Sequence, residues 1–223
     1  MKNLLSVLKI SVPYKIYIKD PETSNLGKRI VEHSILLINE IGFENFTFKK
    51  LGTKIGSNES SIYRYFESKH KLLLYLSSWY WAWLEYQLAL ETFSISNARE
   101  KLEKAIIIVT RTVKEDSKFS HINETILYKI IVNESSKSYL TKEVDNENKD
   151  GYFEVYKRLI ISLEEMILAV KPNFEFALSL ASTILEGALH QHFLKKHFPS
   201  ITNCREDKTP TNFFIQLAKI TLS

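Results

Sequence analysis

The sequence is poor in cysteine, glycine and proline. Of its 223 residues, one is cysteine, six are glycine and five are proline. The single Cys204 excludes an intrachain disulfide and suits a reducing compartment. A hydrophobic share of 44% with so few helix-breaking residues favours a compact, mostly helical protein. The length allows a small domain and a larger one, each with its own core.

The chain also lacks a long apolar run. No stretch approaches the roughly 18 uninterrupted apolar residues that a membrane helix needs, so we expect no membrane partner. The segment from Met1 to Val12 is apolar and faintly resembles a signal peptide. Lys9 interrupts it, however, and no small-residue cleavage site follows. We therefore expect the protein to remain in the cytoplasm.

Motifs of catalysis and cofactor binding are missing as well. The sequence contains no nucleophile elbow, phosphate loop or dinucleotide fingerprint. His190, His192 and His197 are two, five and seven residues apart. A helical pair of metal ligands is spaced by three or four residues instead. We therefore predict a protein that is not an enzyme and has neither a cofactor nor a metal site.

Net charge is low, but it is unevenly distributed. Lys and Arg total 30 against 26 Asp and Glu, which gives a net charge of +4. This balance alone does not predict nucleic-acid binding. Residues 26–73 nevertheless hold eight Lys and Arg against five Asp and Glu, so the excess is concentrated in this segment.

The same segment contains the pattern of two short helices joined by a tight turn. Thr47 is a natural N-cap for the first helix, and Ser57 and Asn58 can cap the second. Gly52 requires another backbone close by, since glycine otherwise weakens a helix by roughly 1 kcal/mol. Gly56 can adopt the positive φ that ends a helix abruptly. Apolar anchors share one side of the pair: Phe48, Leu51, Ile55, Ile62 and Phe66.

The outward face of the second helix carries Ser60, Ser61, Tyr63 and Arg64. A plain helical hairpin would explain the apolar spacing equally well. It would not explain why this face lacks the usual mixture of Glu and Lys. Hydroxyls, a tyrosine and an arginine suit a helix that enters the major groove of DNA, so the pattern favours a helix-turn-helix motif.

The run from Gly42 to Gly56, followed by residues 61–66 and by Ser68 and Lys69, resembles the N-terminal domain of the TetR family of bacterial transcription regulators. The resemblance covers about residues 26–75. It departs at Ser57, where valine is usual, and at Ser60, where glycine or proline is frequent. It implies an all-α homodimer that binds a palindromic operator, usually as a repressor, and that a small-molecule effector releases. The alternative is a similar helical dimer without an effector, which binds DNA constitutively or takes a protein partner.

The resemblance also implies roles on double-stranded DNA. The residues expected at phosphates are Thr47, Lys49, Ser61, Tyr63, Tyr65 and Lys69. Ser60 and Arg64 are the candidates for base edges, because arginine can bind guanine bidentately. Asn58 and Glu59 lie beside them, and Glu59 either accepts from cytosine or faces water.

The rest of the chain divides into an extension (residues 1–24), a DNA-binding domain (25–72) and a helical regulatory and dimerisation domain (73–223). In the extension, residues 14–19 alternate like a short strand. We favour a poorly ordered tail there, and the alternative is an arm whose Lys15 and Lys19 contact phosphates. Helices are predicted over residues 26–41, from 68 to about 92, and over 97–116, 120–134, 150–170, 174–197 and 210–222. The polar stretch 135–150 is predicted to be a solvated loop or a frayed helix end.

Aromatic side chains in the regulatory domain are candidates for an effector cavity, and none has a spacing that distinguishes it from core. They are Trp83, Tyr86, Tyr128, Tyr152 and Tyr156, with Glu124 or His121 as polar additions. An effector would wedge the central helices apart, shift the fourth helix and change the separation of the two recognition helices.

The last two helices are predicted to form the dimer interface. Ala177, Ala181, Ile184 and Ala188 make a stripe of small residues that permits close approach of a partner helix, with Phe213 and Leu217 on the final helix. The same stripe would suit an ordinary intramolecular core. We favour the dimer, because one helix-turn-helix reads too few base pairs to be specific.

Overall fold

The computed structural model describes residues 10–113, 121–205 and 207–223. Within these ranges every regular element is helical, which confirms the predicted all-α class. The α-helices of the described ranges are α1 (Asn25–Asn45), α2 (Phe48–Ile55), α3 (Glu59–Tyr63), α4 (Lys69–Thr92), α5 (Ala98–Thr110), α6 (Glu124–Glu134), α7 (Ser136–Tyr139), α8 (Val144–Lys149), α9 (Glu154–Val170), α10 (Ala177–His197) and α11 (Pro210–Thr221). None of the helices in these ranges is long and apolar enough to cross a membrane.

Helices α1, α2 and α3 form a small three-helix unit at the N-terminal end. Ser24 caps α1 by accepting from the Gly27 N–H, and Gly42, at φ +76°, interrupts α1 where the sequence predicted its end. One further turn follows before the chain enters α2. The guanidinium of Arg29 on α1 donates to the Ile55 carbonyl at the end of α2, which holds the two helices together.

The N-terminal strap, residues 10–24, corrects the preference for a disordered tail. Its chain forms 3₁₀ turns at Tyr14–Ile16 and Pro21–Thr23, with no strand among the residues described there. Ile16 is buried, and the Ile18 N–H donates to the Tyr65 carbonyl at 2.8 Å. The buried side chain of Ile16 and the backbone contact of Ile18 therefore anchor the strap to the protein. The apolar start at residues 1–9, where a signal peptide was considered, lies outside the described residues.

Helix α9 lies at the centre of the regulatory part, where it packs against α4, α5 and α10. Helix α4 passes through the expected domain boundary at residues 72 and 73 without a break. Its three tryptophans, Trp79, Trp81 and Trp83, are all buried, although they cannot share one helical face. Different neighbours surround α4, since it contacts α5, α6, α7 and α9.

The stretch 135–150 is more ordered than the sequence predicted. It contains α7 and α8, and Ser138 and Glu147 are buried. Oε1 of Glu147 lies 2.8 Å from Nε2 of His70 and 3.8 Å from Nζ of Lys71, both in the first turn of α4. The prediction of a solvated loop was wrong because this charged segment finds its partners on α4. The predicted positions 114–116 and 120 of two neighbouring helices lie outside the described residues.

The N-terminal unit also docks on the regulatory part through α1 and α6. The Phe43 N–H donates to Glu134 Oε1 at 3.3 Å. Nζ of Lys137 lies 2.8 Å from Glu44 Oε1 and 2.7 Å from Glu134 Oε2, so it bridges the two parts. These contacts lie close to Gly42, where α1 bends.

Candidate nucleic-acid interface and ligand cavity

The turn between α2 and α3 has the geometry that the sequence predicted. The Thr47 hydroxyl accepts from the Lys50 N–H at 3.2 Å and caps α2. Gly56 lies in the left-handed region, with φ 63° and ψ 40°. A Cβ at Gly52 would lie 2.7 Å from the carbonyl oxygen of Ser57, so the predicted close backbone crossing is confirmed. The two helices are thus fixed by backbone contact as well as by side chains.

The recognition helix α3 is short and held at both ends. The Asn58 carboxamide oxygen accepts from the Ser61 N–H at 2.8 Å and from the Ser61 hydroxyl at 2.6 Å. Ile62 and Phe66 are fully buried and fasten the helix to the core. The Asn58 carboxamide oxygen and the Ser61 hydroxyl are therefore both engaged in capping α3. The NH₂ group of the Asn58 side chain remains as a hydrogen-bond donor.

The outward side chains of this unit lie in solvent. Ser60 and Arg64 are exposed, and Arg64 forms no ion pair with the residues that the structure describes. Tyr63 is 47% exposed, with its ring packed edge-on against Phe48 at a centroid distance of 5.0 Å. Glu59 is half-buried. Arginine, serine and an oriented tyrosine hydroxyl thus share one open surface, which suits hydrogen bonds to a nucleic acid.

Three further predicted residues flank this surface. Thr47 and Lys49 are exposed at the N-terminal end of α2, where the unpaired N–H groups of the helix favour an anion. Lys69 begins α4, and its ammonium donates to the carbonyl oxygens of Phe43 at 3.2 Å and Glu44 at 3.1 Å. Its contacts fix the lysine at the junction of α1 and α4, within the same surface.

The structure corrects the prediction for Tyr65. This residue is 4% exposed, and its hydroxyl lies 2.8 Å from the hydroxyl of Ser24, the N-cap of α1. Its carbonyl accepts from the Ile18 N–H of the strap. A buried ring with an occupied hydroxyl holds the strap and α1 to the recognition helix, so Tyr65 does not point a free donor at DNA.

A cavity of about 240 Å³ lies between α4, α7, α8 and α9. Two predicted residues, Tyr152 and Tyr156, line it. The sequence reasoning missed the other lining residues, which include Leu74, Ser77, Trp81, Tyr139, Val144 and Phe153. Trp81 packs on Tyr156 at a centroid distance of 5.5 Å. The pattern of alternate tryptophans on α4 was the available signal for Trp81, but α7 and α8 were not predicted as helices.

The polar groups of this cavity are mostly occupied by protein partners. The hydroxyls of Tyr139 and Tyr156 donate to Glu186 of α10, at 3.1 and 2.7 Å. Burial, and then the adjacent Glu186 carboxylate, raise the pKa of both tyrosines above their usual range, so both remain donors. The buried hydroxyl of Ser77 has no hydrogen-bond partner among the described residues. The cavity therefore offers apolar walls and one unused hydroxyl.

The other three residues predicted for the cavity lie elsewhere. Trp83 and Tyr128 pack around Tyr80, with ring centroids 5.9 and 6.3 Å from it, and Tyr128 also meets His192. This aromatic cluster belongs to the core between α4, α6 and α10. Tyr86 is half-buried against the core. Of the polar additions, Glu124 is buried and His121 pairs with Glu22 of the strap.

The structure also corrects the predicted dimer seam on α10. Ala177, Ala181, Ile184 and Ala188 are all buried within the single chain, where α10 packs against α5, α6 and α9. Small side chains let α10 approach these helices closely, so the intramolecular alternative is the correct one for this stripe. The exposed apolar side chains near the C-terminal end are Phe176, Leu178, Phe198, Ile201, Phe213 and Ile220, with Leu217 partly buried.

Helices α10 and α11 cross closely at Gly187. A Cβ at Gly187 would lie 2.7 Å from Cζ of Phe214, which is buried. Phe213, the neighbour of Phe214, consequently points away and is 46% exposed. Together with Leu178 and Ile220, it gives the α10–α11 pair an outer apolar face. We call these three residues the outer face.

Comparison with known families identifies the N-terminal unit. The family described as bacterial regulatory proteins, tetR family, matches residues 30–76, which hold most of α1, all of α2 and α3, and the start of α4. The N-terminal unit therefore matches the TetR family over residues 30–76. This match supports a DNA-binding regulator of transcription.

Solved structures share the fold of this chain. AibR in complex with isovaleryl coenzyme A and operator DNA is 18% identical, with a TM-score of 0.56 over 86% of this chain and 97% of AibR. PfmR of Thermus thermophilus, a TetR-family transcriptional regulator, is 15% identical, with a TM-score of 0.55 over 87% of this chain and 97% of PfmR.

The superantigen PfiT is 18% identical, with a TM-score of 0.57 over 91% of this chain and 97% of PfiT. At such identities the likeness is one of fold. No curated protein matches the chain in sequence.

Proposed function

We propose that the protein is a homodimeric repressor that binds a palindromic operator in the cytoplasm. The observation that carries this proposal is the open surface of α3, where Ser60, Tyr63 and Arg64 extend from a helix fixed by Gly52 and Gly56. Residues 25–72 would bind the DNA, and residues 73–223 would dimerise and sense an effector. The AibR structure, which contains both operator DNA and isovaleryl coenzyme A, supports this division of labour.

On DNA, phosphate contacts would come from Thr47, Lys49, Ser61, Tyr63 and Lys69. Base readout would fall to Ser60 and Arg64, with Asn58 beside them. Phosphate contacts set most of the affinity and its dependence on salt, whereas contacts to base edges set the choice of sequence. Arg64 is the strongest candidate for a base contact, since its guanidinium is exposed and has no ion-pair partner in the described ranges.

A binding experiment with two kinds of DNA tests the proposal. We expect the protein to bind a short inverted repeat upstream of its own gene or a neighbouring gene more tightly than scrambled DNA in fluorescence anisotropy. R64A should reduce that preference by about 1–3 kcal/mol at one base pair. The matched control is Arg99→Ala, which removes an exposed arginine on α5, far along the chain from α3. An unchanged ratio of operator to scrambled binding in R64A would refute the base contact.

The effector would occupy the cavity between α4, α7, α8 and α9. Because the hydroxyls of Ser78, Ser138, Tyr139 and Tyr156 have protein partners and that of Ser77 has none among the described residues, we propose a small, largely apolar effector with one hydrogen-bonding group. A ligand that separates α8 from α4 would act on the first turn of α4, where His70 and Lys71 contact Glu147. Lys69 of the DNA surface directly precedes these residues.

A neutral apolar fluorophore, 1-aminoanthracene, can test the cavity. We expect its fluorescence to rise in the presence of the wild-type protein and not with Ser77→Leu, whose larger side chain fills the cavity. Ser96→Leu changes an exposed serine outside the cavity and serves as the control. Equal fluorescence for all three proteins would place the binding site elsewhere.

A further inference from the structure

The N-terminal strap runs beside the end of the recognition helix. The Ile18 N–H donates to the Tyr65 carbonyl at 2.8 Å, and the hydroxyls of Ser24 and Tyr65 are 2.8 Å apart. Tyr65 lies two residues after Tyr63 at the end of α3. Because Ile16 and Pro21 are buried on either side of this contact, the backbone between them is held against the DNA-binding unit.

The two lysines of the strap have different surroundings. Nζ of Lys15 lies 2.9 Å from Asp150 Oδ1, so this lysine is paired with the regulatory part. Lys19 is exposed, and its Nζ lies 5.2 Å from the centroid of the buried Tyr65 ring. Lys19 has no ion pair with a residue in the described part of the chain. Its charge therefore remains available next to the recognition helix.

The two acidic residues of the strap that follow Lys19 have other contacts. Oδ1 of Asp20 accepts from the Glu22 N–H at 2.9 Å and caps a 3₁₀ turn. Oε1 of Glu22 lies 2.8 Å from Nε2 of His121 and accepts from the Tyr75 hydroxyl at 3.3 Å. A cation held over a ring keeps its charge for a further partner, since the attraction to the ring does not neutralise it.

We propose that Lys19 is a phosphate contact of the DNA surface and takes the position expected of the Tyr65 hydroxyl. Tyr65 is buried, and its hydroxyl is hydrogen-bonded to the Ser24 hydroxyl. The Lys19 ammonium lies 5.2 Å from the centroid of the same ring. The strap thus extends the surface of Tyr63 and Arg64 beyond the helix-turn-helix unit. This inference rests on the proposed DNA binding.

The test is the salt dependence of binding to a random-sequence duplex of about 30 base pairs, a length that spans several helical turns. Removing one phosphate contact lowers the slope of log K against log salt by about 0.9. We expect K19Q to show this loss and to bind about five- to tenfold more weakly in 0.1 M salt. K19R should keep the wild-type slope. K15Q removes the paired lysine of the same strap and should leave the slope unchanged.

The outcomes separate this inference from the proposed function. If wild-type protein does not bind any duplex at low salt, the proposed function itself is wrong. If wild-type protein binds and K19Q keeps the wild-type slope, only the role of Lys19 is overturned. An equal reduction of the salt slope in K19Q and K15Q would also overturn it, because the reduction would then reflect the total positive charge of the strap and not a contact of Lys19. Circular dichroism of each variant checks that the helices are retained.

Discussion

At the residue scale, Tyr63 and Tyr65 are close in sequence and different in surroundings. Tyr63 is largely exposed with its ring on Phe48, whereas Tyr65 is buried with its hydroxyl on Ser24. The family resemblance implied a phosphate contact for each tyrosine hydroxyl. In the structure, Tyr63 belongs to the exposed surface of α3, whereas Tyr65 stabilises the packing of the strap and α1.

Two matched substitutions test this separation. Tyr65→Phe should lower the free energy of unfolding by about 0.5–1.5 kcal/mol, because it removes one intramolecular hydrogen bond. It should leave the salt slope of DNA binding unchanged. Tyr63→Phe should do the reverse, with weaker DNA binding and an unchanged urea midpoint. The interpretation fails if Tyr65→Phe reduces the salt slope while stability stays the same.

Gly52 gives a second prediction at this scale. Gly52→Ala places a Cβ 2.7 Å from the Ser57 carbonyl, so the turn must open. We expect a loss of about 1–3 kcal/mol in the free energy of unfolding, as in other overpacked sites. DNA binding should fall with it, since α3 is displaced. Thr53→Ala, at an exposed neighbouring position on α2, is the control in the same urea titration.

His192 gives a prediction about pH. Burial lowers its pKa below the ordinary value of 6.5, against the raising effect of its hydrogen bond to the Thr110 carbonyl at 2.7 Å. The unfolded chain therefore binds the proton more readily than the folded chain. Stability contributed by neutral His192 is present above pH 6.5 and is lost as the pH falls through and below that value.

The measurement is the urea midpoint between pH 5.5 and 7.5, a range that spans the ordinary histidine pKa of about 6.5. Wild-type protein should lose stability toward the acid end, and His192→Asn should lose less. His190→Asn, at an exposed position on the same helix, should follow the wild type. If the urea midpoints of the wild type and His192→Asn changed equally with pH, His192 would not contribute to the pH dependence of stability.

At the element scale, local chemistry made α2 and α3 predictable. A cap at Thr47, a close crossing at Gly52 and a left-handed residue at Gly56 are each decided within a few residues of sequence. The stripe of small residues on α10 was different. Alanines permit close packing against any helix, and the pattern does not indicate whether that helix belongs to the same chain.

The short helices α7 and α8 were missed for a related reason. Their composition is that of a solvated loop, and what orders them is distant in sequence: His70 and Lys71 for Glu147, and Glu186 for Tyr139. The cavity was only partly predicted as a consequence. Tyr152 and Tyr156 were identified, whereas Tyr139 and Val144 lie on elements that periodicity did not indicate.

Glu147 tests how α8 is attached. Glu147→Gln removes the charge that faces His70 and Lys71, and we expect a loss of roughly 1–3 kcal/mol in the free energy of unfolding. Hydrogen exchange should increase in α8 and in the first turn of α4. Glu143→Gln, exposed just before α8, should have neither effect. Unchanged exchange in α4 after Glu147→Gln would show that α8 is not coupled to it.

At the scale of the whole molecule, we propose that the outer face of α10 and α11 is the dimer contact. Phe213→Asp should shift the protein to a monomer in sedimentation velocity and leave its helical content unchanged, because Phe213 is 46% exposed in the single chain. Ala181→Asp should instead unfold the chain, since it buries an unpaired charge. A dimer that survives Phe213→Asp, Leu178→Asp and Ile220→Asp would place the interface elsewhere.

The strap has a mechanical consequence for the way an effector signal could travel. It is fastened to Tyr65 at one end of its path and, through Lys15 and Asp150, to the segment that follows α8. The DNA-binding unit is therefore joined to the regulatory part by α4, by the contacts of Phe43 and Glu44 with Glu134 and Lys137, and by the strap. Attachment at several separate points resists rotation of the unit about any one of them, so a shift at one contact has to be accommodated at the others.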